Sequence, residues 1–139
     1  MNFTKADLDI LARTIYGEGR GELHRFGIAS PIAIANVIVN RMKKNFAKTI
    51  ADVCLAQYQF SCWNKNDVNY DKIKNVTDGD SVFKICREIS ENVLQEKWPD
   101  LTDGCDHYHE KTTKPFWAAY REPKRIFGSH NFYELRRIK

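Results

Sequence analysis

Apolar residues near the N-terminus recur at helical spacing. Leu8, Leu11, Ala12 and Ile15 fall at i, i+3, i+4 and i+7, one face of an α-helix rather than the alternation of a strand. Thr4 followed by Asp7 reads as a capping box ahead of that run. Gly17, Gly19 and Gly21 read as its stop, because glycine favours the left-handed conformations in which helices end. A first helix is therefore expected from about Lys5 to Gly17. Ser30 and Pro31 signal a second start, a cap hydroxyl followed by the proline tolerated at the first helical position. The residues behind them, IAIANVIVNRMKK, are apolar almost all the way round, so this helix is expected to be the hub of the core. Asn36 and Asn40, four apart on it, either line a polar cleft or bond a neighbouring loop.

Ile50, Val53 and Cys54 predict a short third helix within Ala47 to Leu55. The stretch Asn64 to Asp80, rich in Asn, Asp and Lys, reads as an exposed connection. Helical periodicity returns from Ser81 to Glu96 through Val82, Ile85, Cys86, Ile89 and Val93. From Trp98 onward the pattern changes to turns, the alternating stretch Asp106-His107-Tyr108-His109, then Phe116-Trp117 and Phe127 to Leu135, which read as short strands or extended loops. Helices first and a small extended layer last predict an α+β fold, and 139 residues predict one domain over 1–139.

Composition narrows the class. With 42% hydrophobic residues the chain is globular rather than disordered. Its longest apolar candidate, Ile32 to Val39, is far short of the roughly 18 to 20 apolar residues of a membrane span, so no membrane insertion is expected. The N-terminus, MNFTKADLD, is polar where a signal peptide needs a basic start and an apolar run, so synthesis without an export signal is expected. A net charge of +4 favours an acidic partner. The basic residues near the end, Lys124, Arg125, Arg136, Arg137 and Lys139, lack the density of a nucleic-acid arm, and no nucleic-acid partner is expected. Four cysteines without a CxxC spacing are expected to be reduced and buried, and the chain to be a monomer.

Candidate chemistry begins at Glu18. It lies three residues beyond Ile15 and seven beyond Leu11, so the apolar stripe ends in a carboxylate. In the last turn of a helix, partial burial and the negative end of the dipole both raise a carboxyl pKa, which suits a proton donor. The competing reading has Glu18 in water or paired with Arg13 or Arg20. Aromatic, amide and hydroxyl groups gather in Tyr58, Gln59, Phe60, Ser61, Cys62, Trp63 and Asn64, and such a mixture suits carbohydrate. Sugar rings stack their apolar faces on aromatics, a role open to Trp63, Tyr58, Tyr108 and Trp117. Their hydroxyl rims need polar partners, a role open to Gln59, Ser61, Asn64 and His107.

Glu22 is the obvious second carboxylate, with a direction that the intervening glycines leave open. Ordinary glycosidases need a second carboxylate about 5 Å away for retention or about 6.5 to 9.5 Å for inversion. Without one, a single group acting first as acid and then as base is enough for displacement by a hydroxyl of the substrate. A different chemistry is also open, since His107, His109 and His130 with Cys54, Cys62 or Cys105 are zinc-ligand types. No HExxH or paired CxxC accompanies them, so structural or substrate-contacting histidines are the preferred reading, with no metal and no cofactor.

The segments LARTIYGEGRGE, IAIANVIVNR, VCLAQYQFSCWN, DGCDHYH, Phe116-Trp117-Ala118 and FGSHNFY, in this order over nearly the whole chain, resemble the SleB/CwlJ family of cell wall hydrolases. That resemblance implies a mainly helical, lysozyme-like domain with a small antiparallel β element in its C-terminal part. It also implies cleavage of peptidoglycan between N-acetylmuramic acid and N-acetylglucosamine, commonly as a lytic transglycosylase that leaves a 1,6-anhydromuramic end. The family's catalytic glutamate, first in its GEARGE-type motif, falls on Glu18. Glu22, Gln59, Ser61, His107 and Tyr108 are then expected to orient or polarise the substrate. A chain without an export signal would reach the wall after release or lysis, as a phage endolysin does. The alternatives are a zinc-dependent N-acetylmuramoyl-L-alanine amidase and a non-enzymatic basic wall-binding module.

Overall fold

A computed structural model describes residues 1–56 and 59–136. Five helices come first: α1 (Lys5–Phe26), α2 (Ala29–Lys43), α3 (Ile50–Leu55), α4 (Tyr70–Asn75) and α5 (Ser81–Leu94). Three short strands follow, β1 (His107–Glu110), β2 (Arg125–Phe127) and β3 (His130–Tyr133), in an antiparallel sheet of order β1-β3-β2. The chain is thus α+β, with its small sheet in the C-terminal part. α2 sits at the centre, where Ala33, Ile34, Ala35, Val37 and Ile38 are fully buried. α1, α3 and α5 pack around it. Among the described residues no helix is long and apolar enough to cross a membrane.

The caps obey the local signals. Thr4 accepts from the Asp7 amide and the Asp7 carboxylate accepts from the Thr4 amide, closing the capping box of α1. Thr49 caps α3 and Asp80 caps α5 through side-chain bonds to the first free amides. Asn36 and Asn40 take the loop role: Asn36 Oδ1 accepts from the Leu101 amide, and Asn40 Nδ2 donates to Asp100 and to the Cys105 carbonyl. All four cysteines are free and buried.

Three expectations need correction. α1 does not stop at the glycines but runs nine residues past Gly17, to Phe26. Gly17 and Gly19 serve close packing. A β-carbon at position 17 would lie 2.9 Å from Cys62 Cβ and Sγ, and one at position 19 would lie 3.3 Å from Ile34 Cδ1. The helix ends instead at Gly27, at φ 82°, whose amide bonds the Leu23 carbonyl. α2 begins two residues before Pro31, so Ser30 is no cap; its hydroxyl donates to Glu22 instead, and Pro31 sits within the first turn, where no amide is needed. Finally, the supposed connection Asn64 to Asp80 contains α4, anchored by the fully buried Ile73.

Candidate active site

Because α1 continues, its inward stripe continues with it. Leu11, Ile15, Glu18, Glu22 and Arg25 follow at intervals of four, three, four and three, so two hydrophobes give way to two carboxylates and a cation on one face. Glu18 is therefore in the interior of the helix rather than its last turn, and the dipole no longer bears on it. It lines a cleft of about 300 Å³ with Glu22, Arg25, Glu110, Lys111 and His130. The sheet closes the other side. On β1, Tyr108 turns toward α1 and its hydroxyl donates to Glu18 Oε1 at 2.8 Å.

Burial raises the Glu18 pKa above the usual carboxylate range. Hydrogen bonds from Tyr108 and Cys62, together with the field of His130, act in the opposite direction without cancelling it. Glu18 is thus a carboxylic acid that holds its proton longer than an exposed one and faces a cleft. The competing pairings are absent: Arg13 donates to Asp9 and to the carbonyls of Ile73 and Val76, and Arg20 donates to Asn69.

Glu22 has the opposite character. It is 7% exposed, and its Oε1 accepts from the Ser129 amide at 2.9 Å, His130 Nδ1 at 2.9 Å and the Ser30 hydroxyl at 3.2 Å. Burial opposes its ionisation, but the bonds from Ser129 and His130 prevail and the pKa falls. Two like side chains one turn apart thus have their pKa values shifted in opposite directions. The His130 ring meets the Tyr108 ring edge-on at 5.2 Å, so Glu22 braces the wall that carries the donor to Glu18.

The other predicted residues disperse. Phe60 lies in the core, with the Arg41 guanidinium over its ring at 5.4 Å. Gln59 Oε1 accepts from Arg41, Ser61 is exposed, and Trp63 donates its indole N–H to Thr14 at 2.9 Å. His107 and Trp117 stand on the far face of the sheet, where Trp117 meets His107, His109 and Tyr133 edge-on. None of these six lines the Glu18 cleft. Tyr58 lies outside the described residues. The three histidines do not converge either: His107 bonds Asp106, His109 bonds Tyr133 and His130 bonds Glu22. Among the described residues no group of three His, Cys, Asp or Glu side chains is placed to hold a metal ion.

Arg25, Lys111 and Ser129 were not anticipated. The helical spacing from Glu18 would have found Arg25 once the helix is known to continue, whereas Lys111 and Ser129 come from loops with no periodic signal.

A family model described as cell wall hydrolase matches residues 28–133. The chain belongs to that family. This cell wall hydrolase also shares its fold with two solved structures. One is the catalytic domain of the Bacillus cereus SleB protein, 22% identical at a TM-score of 0.69, covering 94% of this chain and 91% of that one. The other is the catalytic domain of the germination-specific lytic transglycosylase SleB from Bacillus anthracis, 22% identical at a TM-score of 0.70, covering 94% of this chain and 96% of that one. No sequence among curated proteins matches the chain. Family membership supports an enzyme that acts on peptidoglycan.

Proposed function

We propose that this cell wall hydrolase cleaves the glycan strand of peptidoglycan between N-acetylmuramic acid and N-acetylglucosamine as a lytic transglycosylase. Glu18 gives its proton to the glycosidic oxygen as the C1–O bond breaks and positive charge develops at C1. The carboxylate left behind keeps the Tyr108 hydrogen bond. It then takes the proton of the muramic C6 hydroxyl as that oxygen bonds to C1, which closes the 1,6-anhydro ring and restores Glu18 to its acid form. No water enters the products.

The observation that carries this reading is one raised-pKa carboxyl in a cleft whose neighbouring carboxylate, Glu22, is already committed to three donors. A second reading has one observation in its favour. Glu110 is exposed and lines the same cleft, where a base could activate water for plain hydrolysis. Mass spectrometry of the muropeptides released from purified peptidoglycan separates the two, because anhydro ends are lighter by one water than reducing ends. We expect anhydro ends, with Glu110→Gln retaining activity. Glu18→Gln is expected to slow clearing of a peptidoglycan suspension by about 10²- to 10⁴-fold. Wild-type clearing by Glu18→Gln would refute the role of Glu18, and chelator-sensitive release of free stem peptides would point to an amidase instead.

A further inference from the structure

Two clefts flank the segment that leaves β1, and only one contains Glu18. Side chains alternate across the sheet, so Tyr108 and His130 face α1 while His109 and its register partner Asn131 face away. On that far face His109, Asn131, Tyr133, Phe116, Lys111 and Lys114 line a second cavity of about 330 Å³. Lys111 also lines the Glu18 cleft, so the two clefts share this residue.

The second cleft is built rather than incidental. Its loop is held by its own hydrogen bonds, from the Lys111 amide to Ser129, the Thr113 amide to Glu110, the Ala118 amide to Pro115 and the Arg121 guanidinium to the Trp117 carbonyl. Trp117 fixes the loop to the sheet through edge contacts with His107, His109 and Tyr133. That scaffold presents Phe116 at 90% exposure, a large apolar ring standing in water. Asn131 Oδ1 is buried without a hydrogen-bond partner, one of two such atoms among the described residues. An unmet buried acceptor is unusual enough to call for a missing partner.

An exposed aromatic ring, an unmet amide acceptor and two lysines together match a wall saccharide. A sugar offers an apolar face to Phe116 and hydroxyl or acetamido N–H donors to Asn131, and its hydroxyl and acetamido carbonyl oxygens can accept from Lys111 and Lys114. We propose that this cleft is a distal saccharide subsite, which holds an N-acetylhexosamine unit of the same glycan strand that is cut at Glu18. The inference rests on the glycan-cleaving reading, and it predicts that long strands bind better than short ones.

The test compares peptide-free N-acetylglucosamine–N-acetylmuramic acid strands with the corresponding tetrasaccharide, on wild type and Phe116→Ala. Phe116→Ala is expected to raise KM for the strands about tenfold, with kcat and all tetrasaccharide kinetics unchanged. An unchanged KM, or an equal loss on both substrates, overturns the subsite. A binding arm uses the inactive Glu18→Gln protein and backbone amide shifts in NMR. Movement at Phe116 and Asn131 on adding the bare strand supports the subsite, and movement with free stem peptide alone overturns it. If wild type releases no product, the cleavage reading falls, while the binding arm still decides whether the cleft takes glycan.

Discussion

Glu18 and Glu22 differ by one helical turn, and what surrounds each carboxyl shifts the two pKa values in opposite directions. Glu22 meets three donors, while Glu18 meets the Tyr108 hydroxyl and the Cys62 thiol and otherwise loses water. Tyr108→Phe removes a bond that lowers the Glu18 pKa, so the pKa rises further. In the proposed mechanism Glu18 works in its protonated form, so the alkaline limb of the pH–rate profile is expected to move upward. The maximal rate should fall about 10- to 100-fold, since the carboxylate formed in the first step loses its donor. A stability effect runs the other way. A folded-state carboxyl pKa above the unfolded one means the native state binds more protons, so stability declines as pH rises through that window. Glu18→Gln removes the decline and should raise the melting temperature at pH 7 by a few degrees while activity is lost, measured by calorimetry beside the clearing assay.

At the scale of elements, the glycines of α1 give the sharpest contrast. Gly21 has nothing within 4 Å of where a β-carbon would stand, so Gly21→Ala should gain about 0.5 to 1 kcal/mol from helix propensity alone. Gly17→Ala meets Cys62 at 2.9 Å and Ile73 at 3.0 Å and should lose about 1 to 3 kcal/mol from overpacking. Denaturant melts of the two variants check both signs. The same contrast explains what was legible in the chain. The stripe that places Glu18, the Thr4-Asp7 cap, the buried α2 and the extended C-terminal part all rest on local rules, and local rules found them. The length of α1 did not, because a glycine that ends a helix and one that lets a neighbour approach look alike until the neighbour is known. Direction across the sheet was also hidden. Tyr108, His107 and Trp117 read alike as aromatic groups near one another in sequence, yet the pleat sends Tyr108 to Glu18 and His107 to the opposite face, where Trp117 packs against it from the turn Phe116–Ala118.

Across the whole molecule, the sheet is joined to the helices through a buried ion pair. Asp106 is fully buried, and its carboxylate accepts from Lys44 at the end of α2, His107 in β1 and the amides of Leu135 and Arg136 near the chain's end. Burial opposes its charge, but these four donors hold the pKa well below the usual aspartate range. Its stabilising contribution is present above the unfolded pKa of about 3.9 and is lost as pH falls toward the lower folded value. Asp106→Asn should cost about 3 to 5 kcal/mol at neutral pH, because Lys44 stays buried with its main counter-charge gone. Loss of that steep acid limb in a pH series of melts would accompany it. The order of elements has one more outcome: Glu18 belongs to the first helix, whereas the strand that supplies its Tyr108 partner and the strand that pairs with it both follow all five helices, so the cleft stands open until β1 and β3 close against α1.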